Sequence, residues 1–146
     1  MRIALVALAI ATIAACSVTP EQMNRMPAHG MQASSGVGDA LYSYEWSPKT
    51  MVDQFHGTST NMDGSPAMRQ ELLYSGMSNG QLQFAYREFA ENLARPAFTQ
   101  EATYDYQPGG EVTFKGARIT VLQADNQSIA YVVESGFSNE RTDVSE

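Results

Sequence analysis

Cysteine is all but missing from this chain. Cys16 is the only one, so an intrachain disulfide and any multi-cysteine metal site are excluded. Basic residues are also scarce, with nine Lys and Arg against sixteen Asp and Glu. That balance, a net charge of −7, argues against a nucleic-acid surface, which needs clustered Lys and Arg. Long apolar runs are lacking as well. The longest, Ile3 to Ala15, covers 13 residues, whereas a bilayer-spanning helix needs about 20. At 146 residues there is room for one domain and little more.

What the apolar run resembles is a leader. Met1-Arg2 is a short positive start, residues 3–15 are of signal-peptide length, and the run ends in small residues. Ile13-Ala14-Ala15-Cys16 resembles the lipobox of bacterial lipoproteins. The resemblance implies cleavage before Cys16 and acylation of that residue, with the membrane as partner through the lipid. It also implies an envelope location, and Ser17 in place of Asp points to the outer membrane facing the periplasm. Two or three acyl chains make such attachment stable, because each buried CH₂ contributes ~0.8 kcal/mol. An ordinary secretory leader with an incidental Cys, or a buried helix, are the alternatives.

Residues 16–36 have linker composition: Pro20, Pro27, Gly30 and Gly36 among Ser, Gln and Asn, with no apolar period. They read as a lipidated N-terminus and flexible tether. Met23, Met26 and Met31 lie within it, and soft side chains of this kind suit a partner surface. A β-rich domain is expected over residues 37–134 and a fraying polar tail over 135–146. In Ala40 to Trp46, Ala40, Tyr42, Tyr44 and Trp46 alternate with polar positions, a half-buried strand. Ser47 to Met68 reads as a long partner-facing loop with a helical turn over Thr50 to Phe55. Glu71 to Met77 and Gln81 to Phe89 flank Asn79-Gly80, the strongest short hairpin signal, because both turn positions need positive φ. Glu88 to Arg95 reads as a short helix stopped by Pro96. Alternation returns from Phe98 to Tyr106, then around Val112 and Phe114, Ile119 and Val121, and Ile129, Tyr131 and Val133. The expected fold is all-β: a single antiparallel sheet rolled into a small sandwich or barrel. The stretch from Tyr86-Arg87-Glu88-Phe89 to Gln100-Glu101 is similar to a segment of small β-rich bacterial lipoproteins, a likeness covering roughly residues 70–134. That group brings no known activity or ligand.

Motifs with chemical potential are few. Gly76-Met77-Ser78-Asn79-Gly80 matches G-x-S-x-G, but a nucleophile elbow requires a helix after the Ser, and Gln81 to Phe89 alternates as a strand. Asp53, His56 and Asp63 could be imagined as a metal site or dyad. Two His in the whole chain and no spare Cys fall short of a zinc set, and His56 stands instead as a candidate partner contact. Asp63-Gly64 lacks the ligand spacing of a calcium loop. Arg87, Glu88, Arg95, Glu101 and Asp105 fit solvent-facing charge alternation better than a glycosidase pair. The expectation is therefore a protein without catalytic residues, metal or cofactor. It would be an envelope lipoprotein that binds another envelope protein or supports an assembly. A small-molecule or glycan-binding module is the alternative, and an envelope hydrolase the remote one.

Overall fold

A computed structural model describes residues 17–20, 22–53, 56, 58–62, 64–90, 93–94 and 99–140. Among these the chain is all strand and turn, without a helix. The strands are β1 (Ser17–Thr19), β2 (Gln22–Met26), β3 (Gln32–Gly36), β4 (Ala40–Ser47), β5 (Thr50–Asp53), β6 (Thr58–Asn61), β7 (Met68–Ser78), β8 (Gln81–Ala90), β9 (Leu93–Ala94), β10 (Gln100–Asp105), β11 (Gly110–Phe114), β12 (Ala117–Ala124) and β13 (Ser128–Ser135).

The all-β class holds, but as a sandwich of separate sheets rather than one rolled sheet. The first sheet runs β10-β8-β7-β4-β2, with β9 pairing at the far end of β8. The second runs β11-β12-β13-β3, and a small third sheet runs β1-β5-β6. All pairings are antiparallel, and no sheet closes into a barrel.

Alternation selects the faces. Tyr42, Tyr44 and Trp46 of β4, Leu72 and Tyr74 of β7, and Leu82, Phe84 and Tyr86 of β8 point inward. They meet Ile119, Val121, Ile129, Tyr131 and Val133 of the second sheet in one buried cluster. A fully buried side chain of this size contributes roughly 1.5–3 kcal/mol, which makes the cluster the main source of stability. Tyrosine hydroxyls tie the sheets together at their margins. Tyr104 donates to the Thr113 carbonyl (2.7 Å), Tyr74 to the Asp125 carbonyl, and Tyr106 accepts from the Ala124 N–H (3.2 Å). Burial raises the pKa of Tyr74 and Tyr104, and of Tyr131 within the core.

The expected hairpin is present: Ser78 pairs with Gln81, and Asn79 (φ 54°) and Gly80 (φ 76°) close it. Lys115 (φ 47°) and Gly116 (φ 89°) make the same kind of turn between β11 and β12. Asp125 accepts the N–H groups of Gln127 and Ser128 at 2.8 Å each, closing the β12–β13 turn and lowering its own carboxyl pKa.

Several expectations are corrected. The stretch read as a tether supplies β1, β2 and β3. β2 forms an edge of the first sheet against β4, and β3 an edge of the second against β13. Pairing satisfies the backbone groups that face the neighbouring strand and leaves the outer ones to solvent, so they need only a weak apolar face. Thr50–Asp53 is a strand hydrogen-bonded to β6, not a helical turn, and the long loop is largely this β5–β6 hairpin. Glu88 to Ala90 continues β8, and Leu93–Ala94 pairs back onto it, in place of the short helix. Ala40 is exposed while Leu41 is buried, because a register shift between Ala40 and Tyr42 breaks the alternation. The expected polar tail begins inside β13 and then packs down, with Phe137 only 3% exposed.

Candidate functional site

One end of the sandwich has a polar core. The registers of β2, β4, β7 and β8 align Arg25, Tyr44, Gln70 and Glu88 in one inward-facing row. Gln70 is 1% exposed. Its Nε2 donates to the Tyr86 hydroxyl (2.6 Å) and to Asn139 Oδ1 (3.2 Å), and the Tyr86 hydroxyl donates on to Glu88 Oε2 (3.1 Å). The Gln70 Oε1 atom has no hydrogen-bond partner among the described residues. A buried amide oxygen in that state costs on the order of 1–3 kcal/mol, so this row carries polarity at some expense to stability.

Residues 136–140 cover the row. The Phe137 ring lies 5.3 Å from that of Tyr42 and 5.5 Å from that of Tyr86. Ser138 donates its N–H to the Lys115 carbonyl (2.8 Å), and the Lys115 ammonium stands 4.1 Å from the Tyr86 ring centroid. Glu140 then folds back. Its Oε1 accepts from the Tyr42 hydroxyl (2.7 Å) and the Phe137 N–H (2.7 Å), and its Oε2 from Arg25 Nε (2.8 Å). A Cβ at Gly136 would run into the Glu140 carboxylate, so a side chain there would push that group off these donors. Burial, reinforced by the hydrogen bond to Glu140, pushes the Tyr42 hydroxyl far above the usual tyrosine range. The same carboxylate raises the Arg25 pKa.

Beside this cover opens a cleft of about 360 Å³, lined by Arg25, His29, Gly136, Phe137, Ser138 and Glu140. Its His29 comes from the β2–β3 crossover. Because the Tyr42 proton is directed at Glu140, His29 Nε2 donates to the Tyr42 oxygen (3.0 Å). Three donors already hold Glu140, which makes it a structural anchor for the wall rather than a disposable base. The guanidinium of Arg25 is the cleft's cation, with 30% of its side chain exposed. Chemically the arrangement is suited to holding a polar or anionic group against an aromatic wall.

The residues singled out in the sequence are dispersed. Met23 lies opposite Trp46 and packs, partly buried, against the core. Met26 and Met31 are each 60% exposed, on either side of the crossover that carries His29. His56 is exposed at the β5–β6 hairpin, its Nδ1 2.6 Å from Asp53 Oδ2, far in sequence from the cleft. Asp63, Arg95 and Cys16 with its leader lie outside the described residues. Ser78 is exposed on β7 and is followed by the strand β8, so the elbow geometry is not present there. Among the described residues no group of three or more His, Cys, Asp and Glu could hold a metal ion.

Arg25, His29, Gln70 and Glu140 were not legible as a set. Only Gln70 left a trace: it falls in phase with Leu72 and Tyr74, a polar residue in an inward register. Comparison of the chain with protein families, with curated proteins and with solved structures gives no match.

Proposed function

We propose that this protein is a lipid-anchored lipoprotein of the bacterial envelope, held through Cys16, whose domain binds another envelope protein or supports an assembly. The observation that carries the anchor is the leader closing on Ile13-Ala14-Ala15-Cys16, the chain's one cysteine. Partner binding is supported by Met26 and Met31, large apolar side chains exposed on both sides of the His29 crossover. Unbranched, polarisable methionines adapt to a partner surface at low cost. No catalytic role is assigned to any residue. On this reading the mature protein sits in the outer membrane facing the periplasm.

The Arg25–His29 cleft favours a second reading, a module that binds a small ligand with an anionic or hydrogen-bonding group. Affinity capture from detergent-solubilised membranes separates the two. The first expects a protein retained by the wild type and lost by Met26→Gln/Met31→Gln. Retention that survives this double substitution, or no retained protein at all, overturns the Met26–Met31 surface, and the cleft reading then expects a small anionic ligand to raise the melting temperature of the wild type more than that of Arg25→Lys.

A further inference from the structure

The small sheet turns apolar side chains away from the protein. Val18 is 48% exposed, Met51 43% and Met62 53%. Val18 and Met51 are direct partners in the β1–β5 ladder, so their side chains stand side by side at ~5 Å. Met62 donates its N–H to the Lys49 carbonyl (2.9 Å), one step beyond the Thr50–Asn61 pair. That step sets it on the face that Met51 occupies, since faces alternate along a strand. On the inner side Thr50 and Val52 are half-buried, yet Met51 is exposed on the outer. Core packing gives no reason for a large apolar side chain there.

Position in the chain supplies one. β1 starts at Ser17, the residue after Cys16, and two extended residues span at most ~7 Å. With no spacer between Cys16 and Val18, whatever holds Cys16 is held against this sheet. We propose that the Val18–Met51–Met62 face rests on the lipid bilayer that takes up the acyl chains of Cys16. The inference rests on the lipoprotein reading above. The anchor raises the local concentration of lipid around the patch to the millimolar range or beyond, so a small apolar face suffices. Charge is compatible with this orientation. The chain's net −7 repels the domain as a whole from anionic headgroups, whereas on this face the exposed Lys49 stands beside the apolar trio, and the acid two residues along β5 from Met51, Asp53, lies 2.6 Å from His56 Nδ1. The domain thus lies on the membrane instead of standing off on a tether.

The acylated full-length protein, reconstituted into phosphatidylethanolamine–phosphatidylglycerol vesicles, tests this. Met51→Cys and Met62→Cys each place one reactive thiol on an exposed site, since Cys16 is already modified. A polarity-sensitive fluorophore at either position should shift to the blue and lose emission when doxyl-labelled lipids are included. A label at Gln123, exposed on the second sheet, should do neither. Vesicle-bound, palmitate-labelled protein with equal quenching at all three positions, or none, overturns the orientation and leaves the anchor standing. Absence of palmitate label overturns both. Residues accessible on vesicles but shielded in native envelopes assign the face to a protein and also overturn the proposal.

Discussion

Arg25 and Glu140, 115 positions apart, meet in an ion pair of 2.8 Å between Nε and Oε2. The pair joins the edge strand β2 to the segment that covers the polar end of the core. The Glu140 side chain is 6% exposed, so its charge is tolerable only while its donors are in place. Arg25→Ala should therefore cost ~1–3 kcal/mol, chiefly by stranding the carboxylate. The double variant Arg25→Ala/Glu140→Ala should be less destabilised than the sum of the singles. Urea unfolding of all four proteins measures the coupling, and additive losses would deny it.

Removal of residues 1–36 should abolish cooperative folding rather than merely release the domain. β2 and β3 are edges of the two large sheets, and β3 carries Ser35, hydrogen-bonded to the Tyr131 hydroxyl (3.0 Å). Their loss uncovers Trp46 and Val133 and removes Arg25 from Glu140. Circular dichroism on heating checks this. A chain beginning at Val37 that melted like the whole would return residues 17–36 to the status of a tether.

The two hairpin glycines should respond differently to the same substitution. Gly80→Ala places a Cβ in open space, and its cost is the positive φ alone, ~1 kcal/mol. Gly116→Ala adds a collision, because the new Cβ would lie 2.6 Å from the Ser138 backbone nitrogen. It should displace residues 136–140 and lower the melting temperature several degrees further. Similar melting temperatures for the two variants would mean that this segment does not pack as described.

Ser78→Ala should leave both stability and partner capture unchanged, because Ser78 is exposed beside the turn. Function lost at constant melting temperature would reopen the hydrolase reading.

Alkali should destabilise the fold. Burial raises the hydroxyl pKa of Tyr42 and Tyr86 above the ordinary value of 10.0, and that of Tyr131 with them. A raised pKa means that the protonated form is favoured by folding. The stability is fully present below pH ~10 and is lost as pH climbs toward the folded values. The melting temperature should fall above that point, and tyrosinate absorbance should rise in two stages, the second with unfolding. One titration of all seven tyrosines near the ordinary value, with the fold intact, would contradict the burial.

The inward rows of the central strands and the turns between them are legible in the amino-acid order alone. Leu82, Phe84 and Tyr86 must share a face because side chains alternate, and Asn79-Gly80 must turn because few other pairs accept two positive φ values. Those signals are local. The rest depends on contacts between distant parts of the chain. Gln22–Met26 and Gln32–Gly36 are polar segments whose strand state comes from backbone hydrogen bonds to β4 and β13, far along the chain. Thr50–Asp53 and Thr58–Asn61 are strands because each completes the other's ladder. Glu140 sits in what composition marks as a loose end. Its place is set by Arg25, Tyr42 and Gly136, and no periodicity along the chain records a contact made across 115 residues.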